Sequence, residues 1–269
     1  MISGRTRLAA VIGSPVRHSR SPAIHNAGFS AAGLDWAYVA LEVDPGRGAD
    51  AVRAASVLGL GGLSVTMPHK ADAATACDEL TPAAAALGSV NTVVVRDDGS
   101  CLGDSTDGEG FLRSLADEGL DAAGRSVLLL GAGGAARAVA AALVGRGAQV
   151  EVAARRAEAR DALVAAVPGT RPVDWPAAGP ADAEIVVNAT PIGMGDDGGL
   201  PVEPAPEQWI VDLVYHPLET PWLRGARAIG APTVGGLGML VHQAALAFEQ
   251  WTAVPAPLDA MRAAAAAAD

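Results

Sequence analysis

Ser126-Val127-Leu128-Leu129-Leu130-Gly131-Ala132-Gly133-Gly134-Ala135-Ala136 is an unbroken apolar run that ends in a glycine-rich turn and passes straight into an alanine-rich stretch reaching Arg146. Apolar residues without alternation predict a strand buried on both faces, and the alanines predict a helix. Between them the spacing of Gly131, Gly133 and Ala136 fits the G-x-G-x-x-[GA] pattern in the one context that makes it informative, after a strand and opening a helix. Glycines let the backbone come close to a pyrophosphate, and the helix N-terminus supplies unpaired N–H groups and a positive dipole end. Gly131, Ala132, Gly133, Gly134 and Ala135 are therefore candidate cofactor-binding residues.

The choice of nicotinamide cofactor turns on the end of the next strand, predicted over Gln149–Ala154. An acidic residue about 20 positions after the first glycine suits the free ribose of NAD, and arginine there suits the 2′-phosphate of NADP. The chain offers Arg155 and Arg156, with Arg160 one helical turn on, while Glu151 competes from inside the strand between Val150 and Val152. A guanidinium fork matches a dianionic phosphate, so NADP is the expected cofactor.

Outward from this stretch, short apolar runs alternate with helical patterns. Strands are expected over Leu8–Gly13, Trp36–Val43, Gly62–Thr66, Gly88–Arg96, Ile185–Asn188 and Trp209–Val214, with helices over Pro22–Ala32, Ala49–Leu58, Ala71–Cys77 and Asp107–Leu120. The rhythm predicts an α/β chain of two domains with parallel pairing and ligand loops at the carboxyl ends of the strands. Asp97-Asp98-Gly99-Ser100 reads as a hairpin turn, Val234-Gly235-Gly236-Leu237-Gly238 as a hinge-like glycine run, and Ala263–Ala268 as a frayed helix end.

Composition narrows the partners. The 269 residues are half apolar, enough for two sizeable cores, and the formal net charge of −11 repels nucleic acid and anionic membranes, leaving small molecules as expected ligands. Cys77 and Cys101 stand in no metal or redox spacing, and His18, His25, His69, His216 and His242 form no ligand pair, so no metal is expected. The apolar run Leu8–Ile12 is too short for a signal or a membrane span, which fits a soluble cytoplasmic protein.

Some polar residues carry chemistry. Lys70, after Ser64-Val65-Thr66-Met67-Pro68-His69, stands at an expected helix start and can supply a proton to partner hydride transfer, although a lone lysine is usually a surface charge. Asp107, after Gly103-Asp104-Ser105-Thr106, can pair with it, cap a helix, or do both. Asn91 and Thr92 are suited to hydroxyl groups or are ordinary strand-end residues. Ser19 and Ser21 can cap a helix or bind a carboxylate, and spacing leaves the two readings even.

Ser19-Arg20-Ser21-Pro22, Val65-Thr66-Met67-Pro68-His69-Lys70, Gly88-Ser89-Val90-Asn91-Thr92, Gly103-Asp104-Ser105-Thr106-Asp107, Asn188-Ala189-Thr190-Pro191-Ile192-Gly193-Met194, Asp212-Leu213-Val214-Tyr215 and Gly236-Leu237-Gly238-Met239-Leu240-Val241-His242-Gln243 together resemble the shikimate dehydrogenase family, in order and over nearly the whole chain. The resemblance implies a substrate domain over 1–106 completed by helices in 236–269, a Rossmann-like NADP domain over 107–235, and a cleft at their junction. It implies that Ser19, Ser21 and Tyr215 bind a carboxylate, that Thr66, Lys70, Asn91, Asp107 and Gln243 hold ring hydroxyls, and that Lys70 and Asp107 are the catalytic pair. Cofactor contacts carry over to Gly131 through Ala135, Arg155, Leu213 and Gly236. The implied activity is reversible NADPH-dependent reduction of 3-dehydroshikimate to shikimate, on the way to chorismate and the aromatic amino acids, by a monomer or homodimer.

The chain departs from the family pattern in places. Ser64 and Ser105 replace asparagines, and Ala154-Arg155-Arg156 replaces Asn-Arg-Thr. Two rival readings follow from the same residues: a quinate/shikimate dehydrogenase using NAD, and a non-catalytic NADP-sensing paralogue, against which the retention of Lys70, Asn91, Asp107 and Gln243 argues.

Overall fold

The computed structural model of the chain describes residues 2–175, 183–195 and 199–268. It divides into two compact units, Met1–Thr106 with Val241–Asp269, and Asp107–Leu240.

The second unit contains α5 (Asp107–Asp117), β7 (Ser126–Leu130), α6 (Gly134–Gly145), β8 (Gln149–Ala153), α7 (Ala157–Ala166), β9 (Thr170–Val173), β10 (Ile185–Asn188), β11 (Trp209–Asp212), α8 (Pro221–Ala228), β12 (Thr233–Gly235) and the start of α9 (Gly236–Thr252); labels below α5 and β7 belong to the first unit. Its six strands pair in the order β12-β11-β10-β7-β8-β9, parallel throughout. Counted within the unit this is 6-5-4-1-2-3, the doubly wound nucleotide-binding order, whose switch point lies beside β7. Val127 and Leu129 join one core cluster with Val139 and Leu143, while Leu128 and Leu130 join another with Val186 and Ile210. Both faces of β7 are therefore covered, as its unalternating sequence requires.

The first unit contains β1 (Arg7–Gly13), α1 (Ser21–Ala31), β2 (Trp36–Glu42), α2 (Gly48–Val57), β3 (Gly62–Val65), α3 (Lys70–Ala76), β4 (Glu79–Leu80), α4 (Pro82–Leu87), β5 (Thr92–Val95), β6 (Cys101–Asp104), most of α9 and the C-terminal α10 (Leu258–Ala267). Its sheet order is β2-β1-β3-β5-β6-β4. The parallel pairing expected from the strand–helix rhythm does not extend to β5, which runs antiparallel to both β3 and β6. The tight Asp97–Ser100 turn is the hairpin expected between β5 and β6, too short for the crossover a parallel neighbour needs. A buried ring cluster packs beneath the sheet, with His25 stacked on Tyr38 at 4.3 Å and tilted against Trp251 at 5.0 Å. Burial pushes the His25 imidazole down to about 3.

In the glycine run at Val234–Gly238, Thr233–Gly235 is an edge strand on β11 and Gly236 opens α9 directly. The Ala263–Ala268 stretch is not frayed, because α10 runs to Ala267 with Met261 and Ala265 fully buried. Tertiary packing, rather than local sequence, holds that helix.

Candidate functional site

In the second unit every strand points the same way, so residues that follow strands gather at one sheet edge. Gly131 follows β7, Arg155 and Arg156 follow β8, Leu213 follows β11 and Gly236 follows β12. Gly131 adopts φ +120°, and a Cβ placed on it would lie 2.7 Å from the Ala189 carbonyl after β10. Only glycine fits there, and the loop it opens leads to Gly133 and Gly134, both exposed at the N-terminus of α6. Gly236 is tighter still: its absent side chain would meet the Leu213 carbonyl. Arg155 and Arg156 are exposed, as a phosphate-binding pair needs, and Arg156 stands at the capping position of α7. Arg160, expected to join them, is committed elsewhere: its guanidinium reaches Asp161 at 2.8 Å, Asp174 at 2.9 Å and the Val173 carbonyl at 3.1 Å. Glu151 pairs across the sheet with Arg171 at 3.5 Å. The donor set at this edge, glycine backbone followed by free-standing arginines, fits the pyrophosphate and 2′-phosphate of NADP.

Asn188 and Asp212 were quoted in motifs without a role, and the structure supplies one. They are register partners at the ends of β10 and β11 and both are fully buried. Asn188 Nδ2 donates to Asp212 Oδ1 at 2.9 Å, the Val214 N–H donates to the same oxygen at 3.0 Å, and Thr220 Oγ1 donates to Oδ2 at 2.7 Å. Desolvation raises the Asp212 carboxyl above its ordinary value, against the opposing pull of these bonds. The network fixes the turn that carries Leu213 and Tyr215. Its sequence signal was a polar residue closing each of two apolar runs, Ile185-Val186-Val187-Asn188 and Trp209-Ile210-Val211-Asp212.

The first unit assembles side chains instead of backbone. Ser19 and Ser21 follow β1, Thr66 follows β3, Asn91 precedes β5 and Thr106 follows β6. Because β5 is reversed, Thr92 lies opposite both Ser64 and Asp104, and the start of β5 shares an edge with the ends of its neighbours. Lys70 opens α3, and its carbonyl accepts from the Val90 N–H at 2.9 Å, so the lysine is anchored to the segment that carries Asn91. His69, ahead of it, is buried with Nε2 at 2.9 Å from the Val43 carbonyl. Asn91 Nδ2 donates to Thr106 Oγ1 at 2.9 Å, Asn91 Oδ1 accepts from the Thr106 N–H at 2.8 Å, and Thr106 Oγ1 donates to the Gln243 carbonyl at 3.2 Å. Thr106 was passed over in the sequence, yet it joins the Asn91 and Gln243 segments. Asp107 is the first residue of α5, where the expected helix begins, rather than the residue ahead of it that a capping role needs.

The serine pair divides its work. The α1 N-terminus has no side-chain cap, but Ser19 Oγ accepts from the Ser21 N–H at 3.2 Å, a local turn rather than a helix cap. Ser21 is buried and Ser19 half-buried. Asp107 and Tyr215 belong to the second unit, whereas Ser19, Ser21, Thr66, Lys70, Asn91 and Gln243 belong to the first.

Other features carry no site. A cavity of about 440 Å³ on the second unit is lined by Arg113 and Arg146, which pair with Glu109 and Asp121, and it holds no candidate residue. Among the described residues no cluster of three His, Cys, Asp or Glu could hold a metal, and no helix is long and apolar enough to cross a membrane. Burial pushes the Cys77 thiol up to about 12, far from a thiolate nucleophile.

Comparison with known proteins agrees along the whole chain. Residues 11–93 match the shikimate dehydrogenase substrate binding domain, and residues 236–266 the shikimate 5'-dehydrogenase C-terminal domain. A shikimate dehydrogenase (NADP(+)) of Gluconobacter oxydans is 46% identical over 267 residues, covering 96% of this chain and 95% of that protein. Among solved structures, a shikimate dehydrogenase in complex with NADP+ superposes with a TM-score of 0.92 at 35% identity, covering 99% of this chain and 96% of its own. The Thermus thermophilus shikimate 5-dehydrogenase in complex with NADP(H) and shikimate gives 0.88 at 36% identity, with 98% and 100% covered. With 46% identity carried over 96% of its length, the chain belongs to the shikimate dehydrogenase family.

Proposed function

We propose that this protein catalyses the reversible reduction of 3-dehydroshikimate to shikimate, using NADPH, in the biosynthesis of chorismate and the aromatic amino acids. The observation that carries the reading is the hydrogen-bonded meeting of the Lys70, Asn91 and Gln243 segments at one edge of the first unit's sheet, through Thr106 and the Val90 N–H.

Gly131 to Ala135 would hold the cofactor pyrophosphate, Arg155 and Arg156 its 2′-phosphate, and Leu213 and Gly236, whose backbones pack closely on each other, would complete the seat. When bound, the cofactor supplies the hydride that adds to the ketone carbon. Ser19 and Ser21, with Tyr215, bind the substrate carboxylate; Thr66, Asn91 and Gln243 orient the ring hydroxyls. Lys70 donates a proton to the oxygen as negative charge develops there, Asp107 orients the ammonium, and the lysine regains its proton from solvent. The two free thiols, Cys77 and Cys101, suit a reducing cytoplasm.

The test is a steady-state assay of shikimate and quinate, each with NADP and with NAD. Shikimate with NADP is expected to give the highest kcat/KM; a comparable value for quinate or for NAD would overturn the reading in favour of the quinate/shikimate class.

A further inference from the structure

An arginine flanked by two serines is by chemistry the natural carboxylate group of this site, yet the structure spends its guanidinium elsewhere. Arg20 is 7% exposed, and its NH1 donates to the Ala265 carbonyl at 2.9 Å. Ala265 lies in the last turn of α10, a helix with no basic residue of its own there. Those terminal carbonyls carry the negative end of the helix dipole and lack intrahelical donors, so a cation from another segment satisfies them. The same helix packs along α1, with Met261 against Gly28 at 3.2 Å from the position of its missing Cβ. It also reaches the other candidate substrate segment, since Arg262 NH2 lies 3.2 Å from Nε2 of His242, the neighbour of Gln243. Arginine only donates, so that ring nitrogen accepts.

We infer that Arg20 is a positioning residue: it ties the loop carrying Ser19 and Ser21 to the C-terminal helix, and thereby sets where the two hydroxyls receive the substrate carboxylate. Arg20 is also the residue ahead of α1, its carbonyl accepting from the Ile24 N–H at 3.1 Å, so movement of its side chain is passed to the turn closed by Ser19 Oγ and the Ser21 N–H. The helix α10 carries no substrate-binding residue, yet it holds one segment through Ala265 and another through Arg262. The inference rests on Ser19 and Ser21 binding the carboxylate.

The experiment compares Arg20→Gln, Arg20→Lys, Ser19→Ala and Ser21→Ala for KM and kcat with shikimate and with its methyl ester, for KM of NADP, and for Tm. Arg20→Gln is expected to raise the shikimate KM about tenfold, in keeping with a charge-assisted hydrogen bond, with kcat within about twofold and the NADP KM unchanged. It should also shrink the preference for the free acid over the ester, and Arg20→Lys should restore most of both. An unchanged shikimate KM and ester preference in a folded Arg20→Gln protein overturn the inference. If that variant does not fold, Arg20→Lys carries the test, with a KM rise of about threefold expected and a wild-type KM overturning it. Failure of the serine variants to raise the shikimate KM sinks the carboxylate assignment itself, whereas a rise there without one at Arg20 sinks only the positioning role.

Discussion

The two sheets build their candidate sites by different means. The all-parallel sheet of the second unit brings its strand ends to one edge and offers mainly backbone, so its candidate site is a matter of close backbone packing: Gly131 beneath the Ala189 carbonyl, Gly236 against Leu213. The mixed sheet of the first unit offers side chains from separate segments, locked by hydrogen bonds through Thr106. A backbone site tolerates almost any side chain but demands glycine at particular points. A side-chain site tolerates backbone variation but demands particular donors.

That contrast can be broken by substitution. Lys70→Ala removes the proposed proton donor, and turnover should fall by about 10²–10⁴-fold while NADP binding, followed by fluorescence or calorimetry, stays at the wild-type level. A fall below about tenfold would remove the lysine from the chemistry. Arg155→Ala should lower the preference for NADP over NAD by about 10–100-fold, the range for a lost hydrogen bond to a charged group, leaving shikimate affinity alone. Retained preference would shift the 2′-phosphate to Arg156. Gly131→Ala should weaken NADP about tenfold or more, because φ +120° and a carbonyl at 2.7 Å leave no room for a methyl group. Shikimate binding measured without cofactor should survive; if it is lost as well, the two units do not divide the work as described.

The last test concerns pH and reads stability rather than binding. His25 titrates near 3 in the folded chain against an ordinary 6.5, so its folded pKa is depressed and the neutral ring is the stabilising form. Its contribution is whole above pH 6.5 and is lost as pH falls toward 3, at a limiting slope of about 1.4 kcal/mol per pH unit. Urea unfolding of wild type and His25→Phe across this range should show a shallower acid limb in the variant. Parallel limbs would mean that other groups govern acid unfolding.

Much of the second unit was legible because its signals are local. The run Val127–Leu130, the glycines and the alanines are neighbours in sequence, and parallel strands separated by helices leave few arrangements open. The arginines after β8 were equally readable, although of the two carboxylates that engage Arg160 only Asp161 is its neighbour, Asp174 lying 14 positions away. The first unit was harder. Its hairpin turn was plain, but β4, only Glu79–Leu80, is too short to show a period.

What the chain determined by itself is the set of local facts: where backbone can approach a phosphate, where an arginine follows a strand, where a helix starts at Lys70. Hydrophobic period and glycine placement act over a few residues, so they are written in order along the sequence. What only the tertiary structure decided is which distant residues meet. Reversal of β5 carries Asn91 to the edge where β3 and β6 end, and the fold brings the Arg20 guanidinium to the Ala265 carbonyl of α10. Both depend on partners tens to hundreds of positions away, and a hydrogen bond of that span leaves no periodic trace in the residues between its ends.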